Sequence, residues 1–320
     1  MERPTFKDVL AARQVVSRYL PRTPLYHYPS LSDLAGAQLY LKHENHQLLG
    51  AFKVRGGVNY MAHLDPERRR RGVITASTGN HGQSVAYASR LFGAHAVIVA
   101  PAVGANPAKV ESMRNLGAEL VLKGKDFDEA REHVERMAQE RGLTYIHSAN
   151  EPLLIAGVGT YALEIMEDLP DVDVIVVPVG GGSGACGTCI VAKAINPAVQ
   201  VIGVQSEQAP AAYRSWKEGS LVEDRMETFA EGLATRFGFE LTQGILRGML
   251  ADFVLVSDAE IRRAIVLLLE KAHTLAEGAG AASLAAALKY QDRWQGKKVV
   301  CVVSGGNISL PQLREVLAPF

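Results

Sequence analysis

A single lysine stands between two apolar residues in the segment GAFKVRGG, which spans residues 50–57. Glycines close this segment on both sides, and Lys53 has Phe52 and Val54 as its neighbours. Most lysines in globular proteins are exposed, so a surface side chain beside a turn is the ordinary explanation. The alternative is a lysine held away from water for nucleophilic or base chemistry. The segment alone does not decide between the two.

A glycine run, PVGGGSGACG, occupies residues 178–187, after an apolar stretch and before a helical pattern. Backbone N–H groups at such a helix start hold phosphate. A dinucleotide site is the first alternative, because Gly182, Gly184 and Gly187 fit GxGxxG and Glu207 follows at the required distance. Tight packing of the helix on its strand is the second. All three explanations remain open at this point.

Two further polar loops also follow apolar stretches of strand length. ASTGNHGQS covers residues 76–84, and VVSGGNIS covers residues 302–309. The first presents hydroxyl and amide groups at a helix start, which would bind a carboxylate or simply cap the helix. Loops at the carboxyl ends of parallel strands meet in one crevice. We therefore expect these two loops, the glycine run and Lys53 to lie close together.

Apolar runs of strand length alternate with helical patterns along most of the chain, which predicts an α/β fold. The predicted strands lie within 72–77, 95–101, 118–122, 172–179, 199–205, 251–257 and 297–304. The predicted helices cover 79–92, 106–116 and 126–141, begin again near 184, and include one long helix from 258. These elements predict two lobes, each a mostly parallel twisted sheet covered by helices. We place a large domain at 1–68 and 147–320 and a small domain at 69–146.

Composition excludes several classes of partner. The 320 residues carry 34 basic and 34 acidic side chains, so no net charge attracts nucleic acid or an anionic membrane. The sequence shows no signal segment and no membrane-spanning run, and its three cysteines are too few for a disulfide framework. We expect a cytoplasmic homo-oligomer, a dimer or tetramer, that binds a small molecule.

The chain resembles, over essentially its whole length, the fold type II enzymes that use pyridoxal 5′-phosphate. The resemblance is to the serine/threonine dehydratase (ammonia-lyase) and serine racemase group, a fold also found in the β subunit of tryptophan synthase. It is carried, in the family's order, by LKHENHQLLGAFKVRGG (41–57), STGNHGQS (77–84), GGGSG (180–184), FAEGLATR (229–236), EGAGA (277–281) and SGGN (304–307).

The resemblance implies a role for each matching position. Lys53 would bind the cofactor aldehyde covalently and later remove the α-proton, and the larger domain would hold the cofactor. The cofactor-binding residues would be Phe52, Lys53, Asn80, Gly180, Gly181, Gly182, Ser183, Gly184 and Ser304. The substrate-binding residues would be Ser77, Thr78, Gly79, Asn80 and His81, with Lys53, Ser77 and Thr78 catalytic.

The implied reaction is β-elimination from a β-hydroxy-α-amino acid, L-threonine or L-serine, to a 2-oxo acid and ammonia. Alternatives are a serine racemase, a dehydratase of phenylserine or hydroxyaspartate, and, from another class, an NAD-dependent dehydrogenase that uses Gly182–Gly187. In the racemases of the family a serine stands where this chain has Thr78. Because a threonine is stiffer and tends to be engaged by helix amides, we expect elimination to exceed racemisation.

Some positions depart from the family pattern. Ala51 and Glu231 replace a serine and an aspartate, and the family's divalent-cation site would fall at Gln205, Ala209 and Ala211, which lack acidic ligands. We therefore expect no metal. Two pairs of residues are expected to have structural roles, Cys186 with Cys189 and His43 with His46. We expect a third pair, Arg236 and Phe237, to line the substrate pocket.

Overall fold

The computed structural model describes residues 2–77, 79–102, 107–124 and 127–319. Two sheets organise this part of the chain, one of six strands and one of four. Within these described ranges, no helix has both the length and the apolar character needed to cross a membrane.

The larger sheet has the strand order β1-β2-β10-β7-β8-β9. Its strands are β1 Leu25–His27, β2 Gln38–His43, β7 Val174–Pro178, β8 Gln200–Ser206, β9 Asp252–Val256 and β10 Lys298–Val303. Only β1 and β2 are antiparallel, and the other neighbours pair in parallel. Because β10 pairs with β2, the end of the chain returns beside the segment that contains Lys53.

The smaller sheet has the order β5-β4-β3-β6, and all its pairs are parallel. Its strands are β3 Val73–Ala76, β4 Ala96–Ala100, β5 Glu119–Leu122 and β6 Thr144–Tyr145. The prediction of two mostly parallel sheets in an α/β fold is confirmed, with the predicted strands at their expected places. The domain boundaries at 68 and 147 stay a prediction, compatible with strands that run from Val73 to Tyr145.

Fourteen helices cover the two sheets in the described residues. They are α1 Phe6–Val16, α2 Pro29–Ala35, α3 Lys53–His63, α4 Pro66–Arg71, α5 Asn80–Leu91, α6 Pro107–Asn115, α7 Phe127–Arg141, α8 Pro152–Asp168, α9 Ser183–Ile195, α10 Ala211–Glu218, α11 Glu240–Met249, α12 Asp258–Ala272, α13 Gly278–Lys289 and α14 Leu310–Leu317.

The long helix predicted from residue 258 is present as α12, and a second helix that was not predicted, α13, follows it. The structure has two helices there, because His273 takes a left-handed conformation with φ of 50° and ends α12. The chain then continues without helix to Glu277, which caps the start of α13. This break places Glu277 at a helix start, where its side chain reaches the candidate site described below.

Both faces of the larger sheet are buried at its central strand β7. Along β7, Val174 and Val176 belong to one apolar cluster, whereas Ile175 and Val177 belong to the cluster on the opposite face. This alternation places successive side chains on opposite faces, and helices cover each face, as is usual for parallel sheets. The sheet is thus a rigid support for the loops at its carboxyl edge.

A buried group of four charges fixes helix α3 to the larger sheet. Arg55, only 1% exposed, donates to Glu44 at 2.8 Å and to Glu164 at 2.7 Å. Lys42 of β2 also donates to Glu164, at 2.6 Å. The two cations and two anions balance, so none of these charges is buried without a partner of opposite sign. Since Lys53 begins the same helix, this network sets the position of its side chain.

Candidate active site

A cavity of about 350 Å³ collects the residues that the sequence singled out. The loops that follow β3, β7 and β10 all line it, together with the start of α3. The predicted residues along its wall are Phe52, Lys53, Ser77, Gly79, Asn80, His81, Gly180, Gly181, Gly182, Ser183, Gly184 and Ser304. Its volume is within the range of small-molecule sites. Thr78 lies outside the described residues.

The Lys53 amine lies inside this cavity. Its Nζ donates to Ser183 Oγ at 2.9 Å and to the Ser148 carbonyl at 3.3 Å. Burial lowers the pKa of Lys53 from 10.5 to about 8, because the ammonium form loses its contact with water. A substantial neutral fraction is therefore present near neutral pH. Lys53 is therefore not an ordinary surface lysine.

The two glycines after Lys53 explain how its helix becomes so closely packed. A Cβ at Gly57 would lie 2.3 Å from Ser84 Oγ on α5, and one at Gly56 would lie 3.0 Å from the Leu154 carbonyl on α8. Only residues without side chains allow both helices to approach α3 at these distances. The glycine pair thereby lets α5 and α8 close over the start of α3.

The lowered pKa of Lys53 predicts its reactivity in the cofactor-free protein. The rate of acylation should rise tenfold per pH unit up to about pH 8 and level off above it, because only the neutral amine is nucleophilic. Mass spectrometry of the peptide that contains Lys53, after short exposure to an acylating reagent at several pH values, measures this. A rate that still climbs through pH 10 would show an ordinary lysine.

The glycine run forms a cradle at the start of α9. Gly182 has φ of 94°, which favours glycine, and it caps the helix. A Cβ at Gly180 would lie 2.1 Å from the Gly232 carbonyl oxygen, so a side chain has no room there. The run contains no acidic residue. Amides at a helix start, in a run without acidic side chains of its own, fit the phosphate group of pyridoxal phosphate.

Replacing Gly180 by alanine should weaken cofactor binding roughly tenfold or more. The loop must move away from Gly232 to make room for the methyl group, so its amides no longer point at the phosphate site. Equilibrium dialysis of pyridoxal phosphate against the purified variant measures the change. Gly248→Ala is the matched control, since nothing lies within 4 Å of its added methyl group. Equal affinities in both variants would contradict the phosphate assignment.

The loop at the start of α5 is internally hydrogen-bonded. Ser77 Oγ accepts from the amides of Gly79 at 3.1 Å and Gly82 at 2.8 Å. His81 Nε2 lies 2.9 Å from Thr75 Oγ1, and burial lowers the pKa of His81 to about 3, so its ring is neutral. The loop is thus preformed. The substrate-binding roles of Ser77, Thr78, Gly79, Asn80 and His81 stay predictions.

Asn80 is held in place by two residues to which the sequence assigned no role. Its Nδ2 donates to Glu277 Oε1 at 2.5 Å, and its Oδ1 accepts from Asn307 at 2.7 Å. Burial raises the pKa of Glu277. Both residues lie in quoted motifs, EGAGA and SGGN, so their positions were visible although their partner was not. Lys109, on α6, also lines the cavity, and no local motif identified it.

The expected substrate-pocket residues Arg236 and Phe237 are wrong. Neither lines the cavity, which instead has Ala234, Thr235 and Phe239 along this wall. The Arg236 carbonyl accepts from the Asp224 amide at 3.0 Å, so this backbone pairs with residues 223–224. The pairing turns the segment toward that neighbour rather than toward the cavity.

The cysteine and histidine pairs have structural surroundings. Burial raises the pKa of the Cys186 and Cys189 thiols, which lie in the packed helix α9. His43 and His46 stack with ring centroids 4.6 Å apart, and burial lowers the pKa of His43 to about 4. These surroundings favour packing over metal or redox chemistry.

Divalent cations should have little effect on activity, because Gln205 stands where a ligand would be needed. Its amide is used by protein groups: Oε1 accepts from the Tyr213 amide at 2.9 Å and Nε2 donates to the Leu233 carbonyl at 3.3 Å. Assays with EDTA and with added magnesium test this. A large loss with EDTA that magnesium reverses would contradict the prediction.

Comparison with known proteins identifies the family. A family described as pyridoxal-phosphate dependent enzymes matches residues 16–305. The chain belongs to this family. An L-threonine ammonia-lyase of Thermotoga maritima is 44% identical over 316 residues, which cover 98% of this chain and 78% of that protein. This family membership establishes pyridoxal phosphate as the cofactor.

Two solved structures of the family share the fold closely. The processed form of threonine deaminase isoform 2 from Solanum lycopersicum has a TM-score of 0.92 at 34% identity, covering 98% of this chain and 91% of that one. Maize serine racemase has a TM-score of 0.93 at 32% identity, covering 99% and 98%. The expectation of a fold type II enzyme is thus confirmed.

The nicotinamide-dehydrogenase alternative is overturned by the family assignment. Its residues have other tasks in the structure. Gly187 allows α9 to approach α8, since a Cβ there would lie 2.8 Å from Gly159 Cα. Glu207 pairs with Lys289 at 2.7 Å and does not line the cavity.

Proposed function

We propose that this chain is a pyridoxal-phosphate dependent ammonia-lyase that converts L-threonine or L-serine to a 2-oxo acid and ammonia. The observation that carries the proposal is the Lys53 amine, with its pKa lowered to about 8, in a cavity that also contains a phosphate cradle. The similarity to an L-threonine ammonia-lyase and to a threonine deaminase supports this choice of reaction.

The cofactor would be held by residues along the cavity wall. The amides of the 180–184 run would bind its phosphate, Phe52 would contribute an apolar wall beside its ring, and Ser304 would serve as the partner of its ring nitrogen. When bound, pyridoxal phosphate supplies a conjugated ring that withdraws electrons from the α-carbon of the attached amino acid. A serine hydroxyl at Ser304, unlike a carboxylate, would not hold a proton on that nitrogen, and this would favour loss of the β-hydroxyl over slower reactions.

Lys53 acts as the base that removes the α-proton. Ser183 Oγ accepts a hydrogen bond from Lys53 Nζ at 2.9 Å and so orients the amine. A pKa near 8 suits this task, because the amine both accepts and returns a proton near neutral pH. Loss of the α-proton and the β-hydroxyl amounts to loss of water, and addition of water then releases ammonia and the 2-oxo acid.

The charges along the cavity favour neutral over acidic side chains in the substrate. In the described wall the cationic side chains are Lys53 and Lys109, and Lys109 is paired with Glu231 at 2.6 Å. A β-carboxylate, as in hydroxyaspartate, would find no unpaired cation there and would lie near the Glu231 carboxylate. Threonine and serine bring no such charge.

A panel of β-hydroxy amino acids tests the proposal. The assay measures 2-oxo acid release from L-threonine, L-serine, phenylserine and hydroxyaspartate, with L-alanine as the control that lacks a leaving group. We expect the highest kcat/KM for L-threonine or L-serine and no product from L-alanine. Preferred turnover of hydroxyaspartate, or no release from any hydroxy amino acid, would contradict the proposal.

Serine racemisation is the second candidate activity, favoured by the similarity to maize serine racemase. Chiral chromatography of residual L-serine, run beside pyruvate measurement, separates the two reactions. We expect pyruvate to exceed D-serine clearly. Comparable rates of D-serine and pyruvate formation would make racemisation a principal activity.

The homo-oligomer and the cytoplasmic location belong to the same proposal. Large apolar side chains that are exposed on the single chain, such as Leu48 at 59% and Tyr26 at 53%, are compatible with a subunit interface. Sedimentation of the purified protein distinguishes a dimer or tetramer from a monomer.

A further inference from the structure

A second lysine, Lys109, lines the same cavity as Lys53 but comes from a different helix. Lys109 lies on α6, beside the smaller sheet, yet its side chain is only 8% exposed and lines the cavity. Its Nζ lies 2.6 Å from Glu231 and 3.8 Å from Glu277, which both belong to the part of the chain that surrounds the larger sheet. Lys109 thus connects the two halves of the site across the cavity.

The partners of Lys109 are themselves fixed. Glu231 also accepts from Gln312 of α14 at 3.1 Å, and Glu277 accepts from Asn80 at 2.5 Å. Burial opposes the charge of Lys109, but the carboxylates of Glu277 and Glu231 outweigh it and raise the pKa of Lys109. Lys109 therefore stays charged through the neutral range and differs in this respect from Lys53.

The side chain of Lys109 crosses directly over the loop at the start of α5. A Cβ at Gly79 would lie 3.1 Å from Lys109 Cδ and 3.3 Å from its Nζ, so the lysine stem rests on the Gly79 backbone. The same loop carries the amides of Gly79 and Gly82 that donate to Ser77. Removing the lysine would leave this face of the loop without its cover.

We propose that Lys109 is a positioning residue, whose ion pairs with Glu231 and Glu277 hold Gly79 and Asn80, at the start of α5, in the geometry that receives the substrate carboxylate. The proposal rests on the proposed function, because it concerns the binding of an amino acid at that loop. Lys109 does not itself exchange a proton with the substrate. It acts through the loop and through Asn80, which shares Glu277 with it.

The test compares Lys109→Met with a control variant, Lys123→Met. Lys123 is an exposed lysine that directly follows strand β5 of the smaller sheet. For Lys109→Met we expect KM for the amino acid to rise on the order of tenfold while kcat changes much less, because substrate placement is lost rather than the base. We expect Lys123→Met to match the wild type in both values. A fall in kcat with unchanged KM would overturn the proposal.

Hydrogen exchange supplies a readout that needs no turnover. Peptides that cover residues 79–84 should exchange on the order of tenfold faster in Lys109→Met than in the wild type, with or without the cofactor. Lys109→Arg keeps the charge and should restore most of the protection. Unchanged exchange in Lys109→Met, or equal loss of protection in Lys109→Arg, would overturn the proposal. If the protein turns over no amino acid, the exchange measurement still tests the role of Lys109. Failure of the proposed function can therefore be told apart from failure of the proposal about Lys109.

Discussion

Lys53→Ala should lower the rate of 2-oxo acid release from L-threonine by roughly 10³-fold or more, the largest loss expected for any single side chain of the cavity. Under the proposed function, the variant would lose both the amine that binds the cofactor aldehyde and the base that removes the α-proton. The fold should survive, because the buried charges that fix α3 belong to Arg55 and its partners and not to Lys53. Steady-state assays with saturating pyridoxal phosphate measure the effect.

Two controls separate this effect from general damage. Lys123→Ala removes an exposed lysine and should leave the rate unchanged. The circular dichroism spectrum of Lys53→Ala should match that of the wild type. Retention of more than about a tenth of the activity in Lys53→Ala would mean that another group is the base.

Arg55→Met should produce the largest loss of stability, about 3–5 kcal/mol in the free energy of unfolding. The change leaves Glu44, which is fully buried, without its cationic partner and removes one of the two cations from Glu164. A buried carboxylate without a counter-charge is costly because the protein interior cannot replace its water. The midpoint of urea unfolding, followed by tryptophan fluorescence, measures the change.

Arg141→Met is the matched control for the buried network. Arg141 also pairs with a glutamate, Glu119, at 2.8 Å, but both side chains are more than a third exposed. Such surface pairs contribute about 0–1 kcal/mol, so this variant should unfold near the wild-type midpoint. Similar losses of unfolding free energy in both variants would show that burial does not determine how much the Arg55 ion pairs contribute to stability.

The sequence could predict those parts of the site that are contiguous in the chain. Lys53 is flanked by glycines, the phosphate cradle is one glycine run, and the loop at 76–84 joins a strand to a helix. Each pattern carries a local physical signal, and parallel-strand topology then brings the three together. The cavity contains them all.

Residues that act through distant partners could not be predicted in this way. Lys109 resembles any helix lysine until the fold places it beside Glu231, 122 positions away in the chain. The start of a second helix at Gly278 was not predicted either, because it depends on where α12 ends. The signal for that end is a left-handed His273, a conformation that histidine adopts only in some contexts.

Borohydride reduction of the cofactor-loaded protein, followed by mass spectrometry of its peptides, tests the central claim most directly. Reduction makes the link between cofactor and lysine permanent, and the described residues of the cavity wall include two lysines, Lys53 and Lys109. The account predicts the added pyridoxyl mass on the peptide with Lys53 and none on the peptide with Lys109. The added mass on Lys109 or on another lysine, or no added mass at all, would contradict it.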